Sequence, residues 1–443
     1  MMPHKSVLLA LEVLGIGISG PDTWAYRLLL WLRDSGVEVR VAVLLRANSD
    51  ESAVVVRLLQ EAAIPMAVRR ISNMRADTQW FMEQARECLP GLFIAHGVPA
   101  ALMAAGNLRE VGIRSAMMVH SDDPYYYKLI DAFVLSGEKP AVDVVVTVSQ
   151  FLKQKLEPLL HHRVSVENIH CGAPHAGVKS TWNHGDLHLL YVGRFCQFPK
   201  RVVDIAKAFC AACDEVPGVI ATMVGDGPDR KQVEDVLQTT AGGDRVTLTG
   251  ALLLPEVLAM MPAAHVIVLM SDFEGNPISL MEGMAAGLVP IVTYMPSGIP
   301  EHVFDGDTGY IVENRGAAFV AAVRRLRENP ELWRTMSASA LKHYTEHGSP
   351  EKVVEAWCRQ IGQQPQPFIL PNNLRFPVYS WWEFWVDGSM AKGSKRLRLM
   401  VQRAIWNGWE SLPSNGQKFI RKVVKTILSY DGGSLQSAGK CKM

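Results

Sequence analysis

The sequence has no run of 18 consecutive apolar residues, so it predicts no membrane-spanning helix. It also has almost no net charge. Its 45 lysines and arginines oppose 44 aspartates and glutamates, and a net charge of +1 argues against electrostatic binding to nucleic acid. Cysteine is sparse: seven scattered cysteines in 443 residues are typical of a reducing compartment, and we expect a cytoplasmic protein.

Two short segments resemble functional motifs, a zinc site and a signal peptide, but each lacks a required feature. Cys210 and Cys213 form a CxxC, but no second pair or nearby histidine completes a zinc site, so we expect two ordinary helix cysteines. Lys5 and the apolar residues 7–18 resemble a short signal peptide. Glu12 interrupts that run and no small-x-small cleavage site follows, which favours a first buried strand.

The composition is that of a folded protein with sizeable cores. Hydrophobic residues make up 48% of the chain and charged residues 20%, close to the averages for globular proteins. At about 150 residues per domain, the length is nearer to three domains than to one. Disorder over most of the chain is therefore excluded.

The first 180 residues alternate between short apolar runs and helical patterns, such as residues 23–35 and 150–160. The predicted strands cover residues 6–14, 38–45, 92–95, 116–119, 142–148 and 165–169. Continuously apolar strands that alternate with helices indicate a parallel sheet covered on both faces. We assign residues 1–180 to a first Rossmann-like domain.

The alternation restarts after a polar linker at residues 175–186. Predicted strands follow at residues 187–192, 219–224, 246–248, 265–270 and 289–293, with helices at 202–215, 230–237, 255–261 and 277–286. We assign residues 181–348 to a second Rossmann-like domain. The fold class is therefore α/β, with two doubly wound domains that face a ligand-binding cleft.

The residues after 348 do not continue the alternation of strands and helices. Residues 349–362 form a helical pattern, and residues 363–443 form a basic extension that begins with a proline-rich stretch. In that extension Trp381, Trp382 and Trp385 precede two amphipathic helix patterns with basic outer faces. Two interpretations stay open: residues 381–430 bind an anionic membrane surface, or they pack against the protein or a partner.

The first glycine-rich motif is Gly15-Ile-Gly17-Ile-Ser-Gly20, between a strand and a helix. A nicotinamide-binding site would also need an acidic residue at the end of the second strand, where Leu45-Arg46 stands instead. The sequence therefore disfavours an NAD-dependent oxidoreductase. Two interpretations remain: Gly20 lets backbone approach a ligand at a helix N-terminus, or the motif is only a tight turn.

The second half holds a pattern that suits a diphosphate. Gly193, Arg194, Lys200 and Arg201 lie between a strand and a helix. Arginine offers a bidentate fork, lysine a point charge, and the helix N-terminus partial positive charge. The alternative is a set of surface charges on a loop.

A longer motif runs from Asp272 to Gly287. Asn276 is a good N-cap and Pro277 suits the first position of a helix. Glu274 then lies in the loop and Glu282 inside the helix, and we expect both carboxylates to face one ligand with vicinal hydroxyls. After the next strand, Ser297-Gly298-Ile299-Pro300-Glu301 forms a turn that we interpret as a second cradle for phosphate oxygens.

Together these residues resemble family 4 glycosyltransferases, which have the GT-B fold. The resemblance rests on the glycine-arginine loop at 193–201, the GDGP at 225–228, the E-x7-E at 274–282, the SGIPE at 297–301 and the DGDTGYIV at 305–312. It is looser in the first half, where it rests on residues 15–20, 95–97, 119–122, 146–149 and 169–173. It ends near residue 361.

The resemblance implies a retaining, metal-independent transfer of a hexose from a nucleoside-diphosphate sugar, without a cofactor. Arg194 and Lys200 would bind the diphosphate near Gly193, with Arg201 as a substitute for the lysine. Glu282 would hold the ribose hydroxyls. Glu274 would contact the sugar.

The resemblance also implies roles for backbone and first-domain groups. Gly275 and Asn276 would present backbone to the sugar, and Ser297, Gly298 and Ile299 would lie near the phosphates. His120 would orient the sugar as a catalytic residue, and Gly20 would lie near the diphosphate or the acceptor. The sequence departs from the family at Cys171, where asparagine is common, and in the longer first glycine loop with Pro21-Asp22.

The acceptor stays open at this point. Glycans, lipid-linked molecules and small molecules all fit, in glycan, glycolipid or cell-envelope polysaccharide synthesis. A rival hypothesis is a non-catalytic binding or scaffold protein with the same fold. The intact E-x7-E and the Arg194–Lys200 pair argue against it.

Overall fold

The computed structural model describes residues 5–136 and 138–370. The helices, tryptophans and basic faces predicted beyond residue 370 lie outside the described residues. Within the described residues, no helix is long and apolar enough to cross a lipid bilayer.

The first part of the described chain builds a parallel sheet of seven strands in the order β3-β2-β1-β4-β5-β6-β7. The strands are β1 (Ser6–Val13), β2 (Glu38–Leu45), β3 (Met66–Arg70), β4 (Leu92–Ile94), β5 (Ser115–Val119), β6 (Val144–Thr147) and β7 (Ser165–Asn168). The helices between them are α1 (Gly20–Asp34), α2 (Val54–Glu61), α3 (Met74–Cys88), α4 (Pro99–Leu108), α5 (Pro124–Ile130) and α6 (Gln150–Leu160).

The second part builds a parallel sheet of six strands from described residues, in the order β10-β9-β8-β11-β12-β13. The strands are β8 (Leu187–Val192), β9 (Val219–Val224), β10 (Val246–Gly250), β11 (Val266–Leu269), β12 (Val289–Thr293) and β13 (Tyr310–Val312). The helices are α7 (Val202–Glu215), α8 (Arg230–Thr239), α9 (Leu254–Met260), α10 (Ile278–Ala285), α11 (Ala317–Glu328), α12 (Pro330–His347) and α13 (Pro350–Cys358).

Two parallel doubly wound sheets confirm the predicted fold class. Every residue of β5, β11 and β12 is buried, because helices cover both faces of these strands. Cys210 and Cys213 lie in α7 and are wholly buried in the core of the second sheet.

The two strands that the sequence analysis missed, β3 and β13, are both edge strands. The side chains of β3 are only half-buried and include Arg69 and Arg70, so the strand lacks the apolar run of a central strand. β13 has three residues, too few for a recognisable pattern.

The prediction that Asn276 caps the E-x7-E helix is wrong. α10 starts at Ile278, and Pro277 occupies the N-cap position. The Asn276 side chain instead donates from Nδ2 to the carbonyl oxygen of Val148, at 2.9 Å. This contact with the first domain takes the place of a helix cap, and tertiary packing overrides the capping preference.

The chain returns to the first sheet after the second. In α13, Trp357 lies 5.9 Å from Trp24 of α1 between ring centroids. Beyond α13, the Gly362 amide donates to the carbonyl oxygen of Gly91, before β4, at 3.0 Å. The domain limits proposed from the sequence stay a prediction.

Candidate active site at the carboxyl ends of both sheets

The predicted site residues follow the carboxyl ends of strands near the point where the strand order reverses in each sheet. In the first sheet this point lies between β1 and β4, and in the second between β8 and β11. Gly20 follows β1, and Arg194 follows β8. Ligands of doubly wound sheets bind at such reversals, so the topology places these residues where a ligand is expected.

The glycine-arginine loop after β8 is held by its own backbone. The Gly193 amide donates to the Val224 carbonyl at 3.0 Å. Gly225 has φ +142°, and a Cβ built there would lie 1.9 Å from the Gly193 carbonyl oxygen. The glycines of the GDGP motif are therefore explained by close backbone packing. Asp226 needs no further role.

The Arg194 and Lys200 side chains differ in whether another residue already binds them. The Arg194 side chain is exposed, and no described residue forms a hydrogen bond or ion pair with its guanidinium. Lys200 donates from Nζ to Oε1 of Glu274 at 2.6 Å. This contact joins the glycine-arginine loop to the E-x7-E loop. A guanidinium without a protein partner and an ammonium on the same loop suit an anionic ligand.

Arg201 is less available than the sequence analysis expected. It lies just before α7 with a left-handed backbone, φ +57°. Its Nε lies 2.9 Å from Asp204 and 3.4 Å from Asp272. Two carboxylates oppose the charge of this guanidinium, whereas Lys200 is paired with one, and the diphosphate roles of both cations stay predictions.

The two carboxylates of the E-x7-E motif each hold a different cation. Oε1 of Glu274 accepts from Lys200 and, at 2.6 Å, from the hydroxyl of Ser271. Oε1 of Glu282 accepts from Nη2 of Arg27 on α1. The expectation that both carboxylates simply face one open ligand site therefore misses these ion pairs. Arg27 escaped the sequence analysis because no local pattern marks it.

The E-x7-E loop touches the first domain directly. A Cβ built on Gly275 would lie 1.8 Å from the carbonyl oxygen of His120, so only glycine allows this approach. The Gly275 carbonyl accepts from the Gly298 amide at 2.7 Å. Asn276, beside it, is bound to Val148 as described above and lies 3.0 Å from Nδ1 of His170. These contacts join the carboxyl ends of the two sheets.

The turn at residues 297–299 uses its own donors internally. The Ile299 amide donates to Oγ of Ser297 at 3.1 Å, and the Gly298 amide donates to Gly275. The Ile299 side chain is wholly buried in the apolar core. The phosphate cradle stays a prediction, which Gly298 and Ile299 can fulfil only by giving up these contacts.

His120 lies beside a second histidine that was not among the predicted site residues. Nε2 of His120 and Nε2 of His96 are 2.9 Å apart, and the indole of Trp24 stacks on His96 with ring centroids 4.9 Å apart. Burial lowers the pKa of His96 to about 4 and that of His120 well below its usual value. Both imidazoles are therefore neutral, and one donates to the other. Because His96 and His120 follow neighbouring strands, β4 and β5, their proximity was accessible from the sequence.

Gly20 opens α1 in an exposed position, and no atom lies within 4 Å of a Cβ built there. Ser19 caps the helix in a capping box with Asp22, whose Oδ2 accepts from the Ser19 amide at 2.9 Å. Burial raises the pKa of the Asp22 carboxyl. A carboxyl group already occupies this helix N-terminus, and both predicted roles of Gly20 stay predictions.

The charge state of Cys171 and the capacity for a metal ion also bear on the chemistry. Burial raises the pKa of the Cys171 thiol to about 12, so the residue that stands in place of the family's asparagine is an uncharged, buried side chain. Across the described ranges, no cluster of three or more His, Cys, Asp or Glu residues is arranged to hold a metal ion.

Comparisons with known proteins agree with this architecture. The family model described as Glycosyltransferase Family 4 matches residues 18–176, and the model described as Glycosyl transferases group 1 matches residues 186–329. The two matches fall on the two sheets in the expected order.

Curated relatives match part of the chain. This chain is 33% identical over 171 residues to the N-acetyl-alpha-D-glucosaminyl L-malate synthase of Bacillus anthracis. The matched segment covers 38% of this chain and 43% of the relative. It is 28% identical over 256 residues to the putative colanic acid biosynthesis glycosyltransferase WcaL of Salmonella typhimurium, covering 52% of this chain and 60% of the relative. The chain thus spans about half the length of the curated relatives it matches.

Solved structures show the same fold at low identity. The pneumococcal O-GlcNAc transferase GtfA, in complex with UDP and GlcNAc, superposes with a TM-score of 0.65 at 12% identity, over 81% of this chain and 98% of that one. Anabaena Alr3699/HepE, in complex with UDP and glucose, superposes with a TM-score of 0.60 at 14% identity, over 80% and 99%. From its two family matches and its two facing doubly wound sheets, this chain belongs to the family 4, or group 1, glycosyltransferases with the GT-B fold.

Proposed function

We propose that this protein is a retaining glycosyltransferase that moves a sugar from a nucleoside-diphosphate sugar to an acceptor hydroxyl. The observation that carries the proposal is the contact between Lys200 and Glu274, on the loop that also carries the exposed side chain of Arg194. It brings a diphosphate-binding loop against a carboxylate suited to sugar hydroxyls. A scaffold protein would not need this cluster of charges.

The chemistry requires the bond between C1 of the sugar and the diphosphate oxygen to break. Negative charge then develops on the departing diphosphate, and the positive charges of Arg194 and Lys200 stabilise it. The acceptor oxygen bonds to C1 on the face that the diphosphate leaves, and its proton passes to the diphosphate. No cofactor is needed for this sequence of events.

The carboxylates and the first domain orient the donor. Oε2 of Glu274 accepts no hydrogen bond from a described residue, so it is available to sugar hydroxyls. Glu282 would hold the ribose. His120, neutral and bonded to His96, is able to donate or accept a hydrogen bond at the sugar without adding charge.

The donor base and the acceptor need experiment. Two structural neighbours are complexes with UDP, which makes UDP the first nucleotide to test. The relatives' names cover an L-malate conjugate and colanic acid biosynthesis, so small-molecule and glycan acceptors are both candidates.

The test is a thermal-shift panel on the full chain with UDP, GDP, ADP, CMP and NADH. A ligand at 100 times its dissociation constant stabilises the native state by about 2.7 kcal/mol, which is easily measured. We expect one nucleoside diphosphate to raise the melting temperature, and the rise to vanish in Arg194→Ala. The corresponding sugar nucleotide should then support transfer or slow hydrolysis. A shift with NADH alone would overturn the proposal.

A further inference from the structure

We infer that Arg27 is a positioning residue that holds Glu282 in place for the ribose of the donor. The inference rests on the proposed function and deepens it, because it adds a residue of the first domain to the donor site. Arg27 lies on α1, the helix that follows the first glycine loop. Glu282 lies on α10, 255 residues away in the sequence.

The contact between the two side chains is buried. Nη2 of Arg27 donates to Oε1 of Glu282, and only 4% and 5% of the two side chains are exposed. In such surroundings an ion pair contributes little net stability, because both charges lose their hydration. An apolar pair of similar volume would stabilise the fold equally well. Stability alone therefore does not account for two charges at this position.

Arg27 is also incompletely satisfied. Its Nε and Nη1 are buried and have no hydrogen-bond partner among the described residues. Unpaired donors on a buried guanidinium are costly, and they are uncommon outside functional sites. This cost is a second indication that the position is kept for a ligand and not for the fold.

The geometry at the carboxylate explains what Arg27 does. Oε1 of Glu282 is taken by Arg27, whereas Oε2 accepts no hydrogen bond from any described residue. A carboxylate anchored through one oxygen presents the other in a fixed direction. Vicinal hydroxyls of a ribose need such a fixed acceptor, and a supporting residue whose own position is locked provides it.

The partner that locks Glu282 comes from the other domain. Arg27 can hold the carboxylate only while the two sheets keep the arrangement that Gly275 and His120 also require. Donor affinity is therefore linked to the closeness of the domains. An open arrangement would leave Glu282 without its anchor and bind nucleotide less tightly.

The experiment measures how strongly the full chain distinguishes UDP from 2′,3′-dideoxy-UDP by titration calorimetry. If the thermal-shift panel selects GDP or ADP, that nucleotide and its dideoxy analogue replace the pair. Wild type should prefer the ribonucleotide, because only it has hydroxyls for Glu282. Arg27→Met should lower the affinity for the ribonucleotide by at least about tenfold and remove most of the preference. Arg27→Lys should keep part of it.

Matched variants separate positioning from folding. Arg33→Met, on the exposed face of the same helix, should leave both affinities unchanged. Glu282→Gln should lose the preference as well, and the double variant Arg27→Met/Glu282→Gln should bind no more weakly than either single variant, because both act through one contact. The double variant also avoids an uncompensated buried charge if Arg27→Met alone is unstable.

Each failure has a distinct meaning. If Arg27→Met and Arg27→Lys only lower the melting temperature and keep the wild-type preference for ribose, the role of Arg27 is overturned while the proposed function stands. If wild type binds no nucleoside diphosphate, the proposed function fails and this inference fails with it.

Discussion

Lys200 and Arg201 are neighbours in the sequence, but their side chains contact different carboxylates. Lys200 contacts one carboxylate, Glu274, which would itself engage the donor sugar. Arg201 is held between Asp204 and Asp272, which do not belong to the predicted site. The sequence pattern offers both cations as diphosphate ligands and cannot separate the two. The ion pairs separate them.

We therefore expect Lys200→Ala and Arg201→Ala to differ strongly. Loss of a charge-assisted hydrogen bond to the diphosphate typically costs about 1.5–3 kcal/mol, so Lys200→Ala should bind nucleoside diphosphate roughly ten- to a hundredfold more weakly. Arg201→Ala should change the affinity less than about threefold, because its charge is already neutralised by neighbours. Calorimetric titration of both variants checks this. Equal losses would restore Arg201 to the diphosphate site.

At the scale of elements, α6 of the first domain is capped by a residue of the second. The Glu301 carboxylate accepts from the amides of Gln150 and Phe151, both at 2.8 Å, and Oγ of Ser149 accepts from the Leu152 amide. Burial raises the pKa of Glu301 even though these hydrogen bonds oppose the shift. The last residue of the SGIPE motif thus joins the two domains through a helix N-terminus.

Glu301→Ala should leave the Gln150 and Phe151 amides of α6 without an acceptor, while Ser149 still caps the Leu152 amide, and it should loosen this junction. Removing a helix cap costs about 0.5–2 kcal/mol, so the melting temperature should fall. Hydrogen exchange of the Gln150 and Phe151 amides should accelerate more than that of the rest of α6. Glu313→Ala, which removes an exposed carboxylate of the same domain, is the control. Unchanged exchange at both amides would show that the cap contributes nothing in solution.

At the scale of the whole molecule, burial keeps many histidines neutral. Within the described residues, the pKa is lowered for His96, His120, His170, His188, His265, His302 and His343, in each case first by burial. Three of them, His170, His302 and His343, form a column between the domains: the ring centroids of His170 and His302 are 4.8 Å apart, and those of His302 and His343 are 5.4 Å apart.

These shifts determine how stability changes with pH. As the pH falls below about 6.5, the unfolded chain takes up protons on these histidines, but the folded chain does not until about pH 4 for His96, His170 and His265. Stability falls wherever the unfolded state binds more protons as the pH decreases. The raised pKa values of Asp22, Asp77 and Glu301 act in the opposite direction, but these are three groups against seven histidines.

We therefore expect the melting temperature to fall steadily from pH 7 to pH 5. His302→Gln, which removes the central histidine of the column, should make the fall shallower, whereas His162→Gln at an exposed position should not. Thermal unfolding in buffers of matched ionic strength provides the measurement. A melting temperature that is constant or rises over this range would contradict the prediction.

Most of the architecture was accessible from the sequence because it depends on local patterns. The bounds predicted for β2, β8, β9, β12 and α7 are those observed, since an apolar run or helical period spans each element. The positions of Arg194, Lys200, Glu274 and Glu282 in loops and helices also followed from strand and helix signals. Edge strands such as β3 were missed because burial on one side leaves a weaker pattern.

By itself, the sequence determined the fold class, the order of the strands apart from the edge strands β3 and β13, and which candidate site residues follow strand ends. Parallel strands end at a common edge, so residues after successive strands are brought together without further information. Tertiary structure alone decided the pairing: Glu282 with Arg27, Asn276 with Val148, Glu301 with α6, and Lys200 with Glu274. These contacts join segments far apart in the chain. The first three also depend on how the two sheets pack against each other, which no local pattern records.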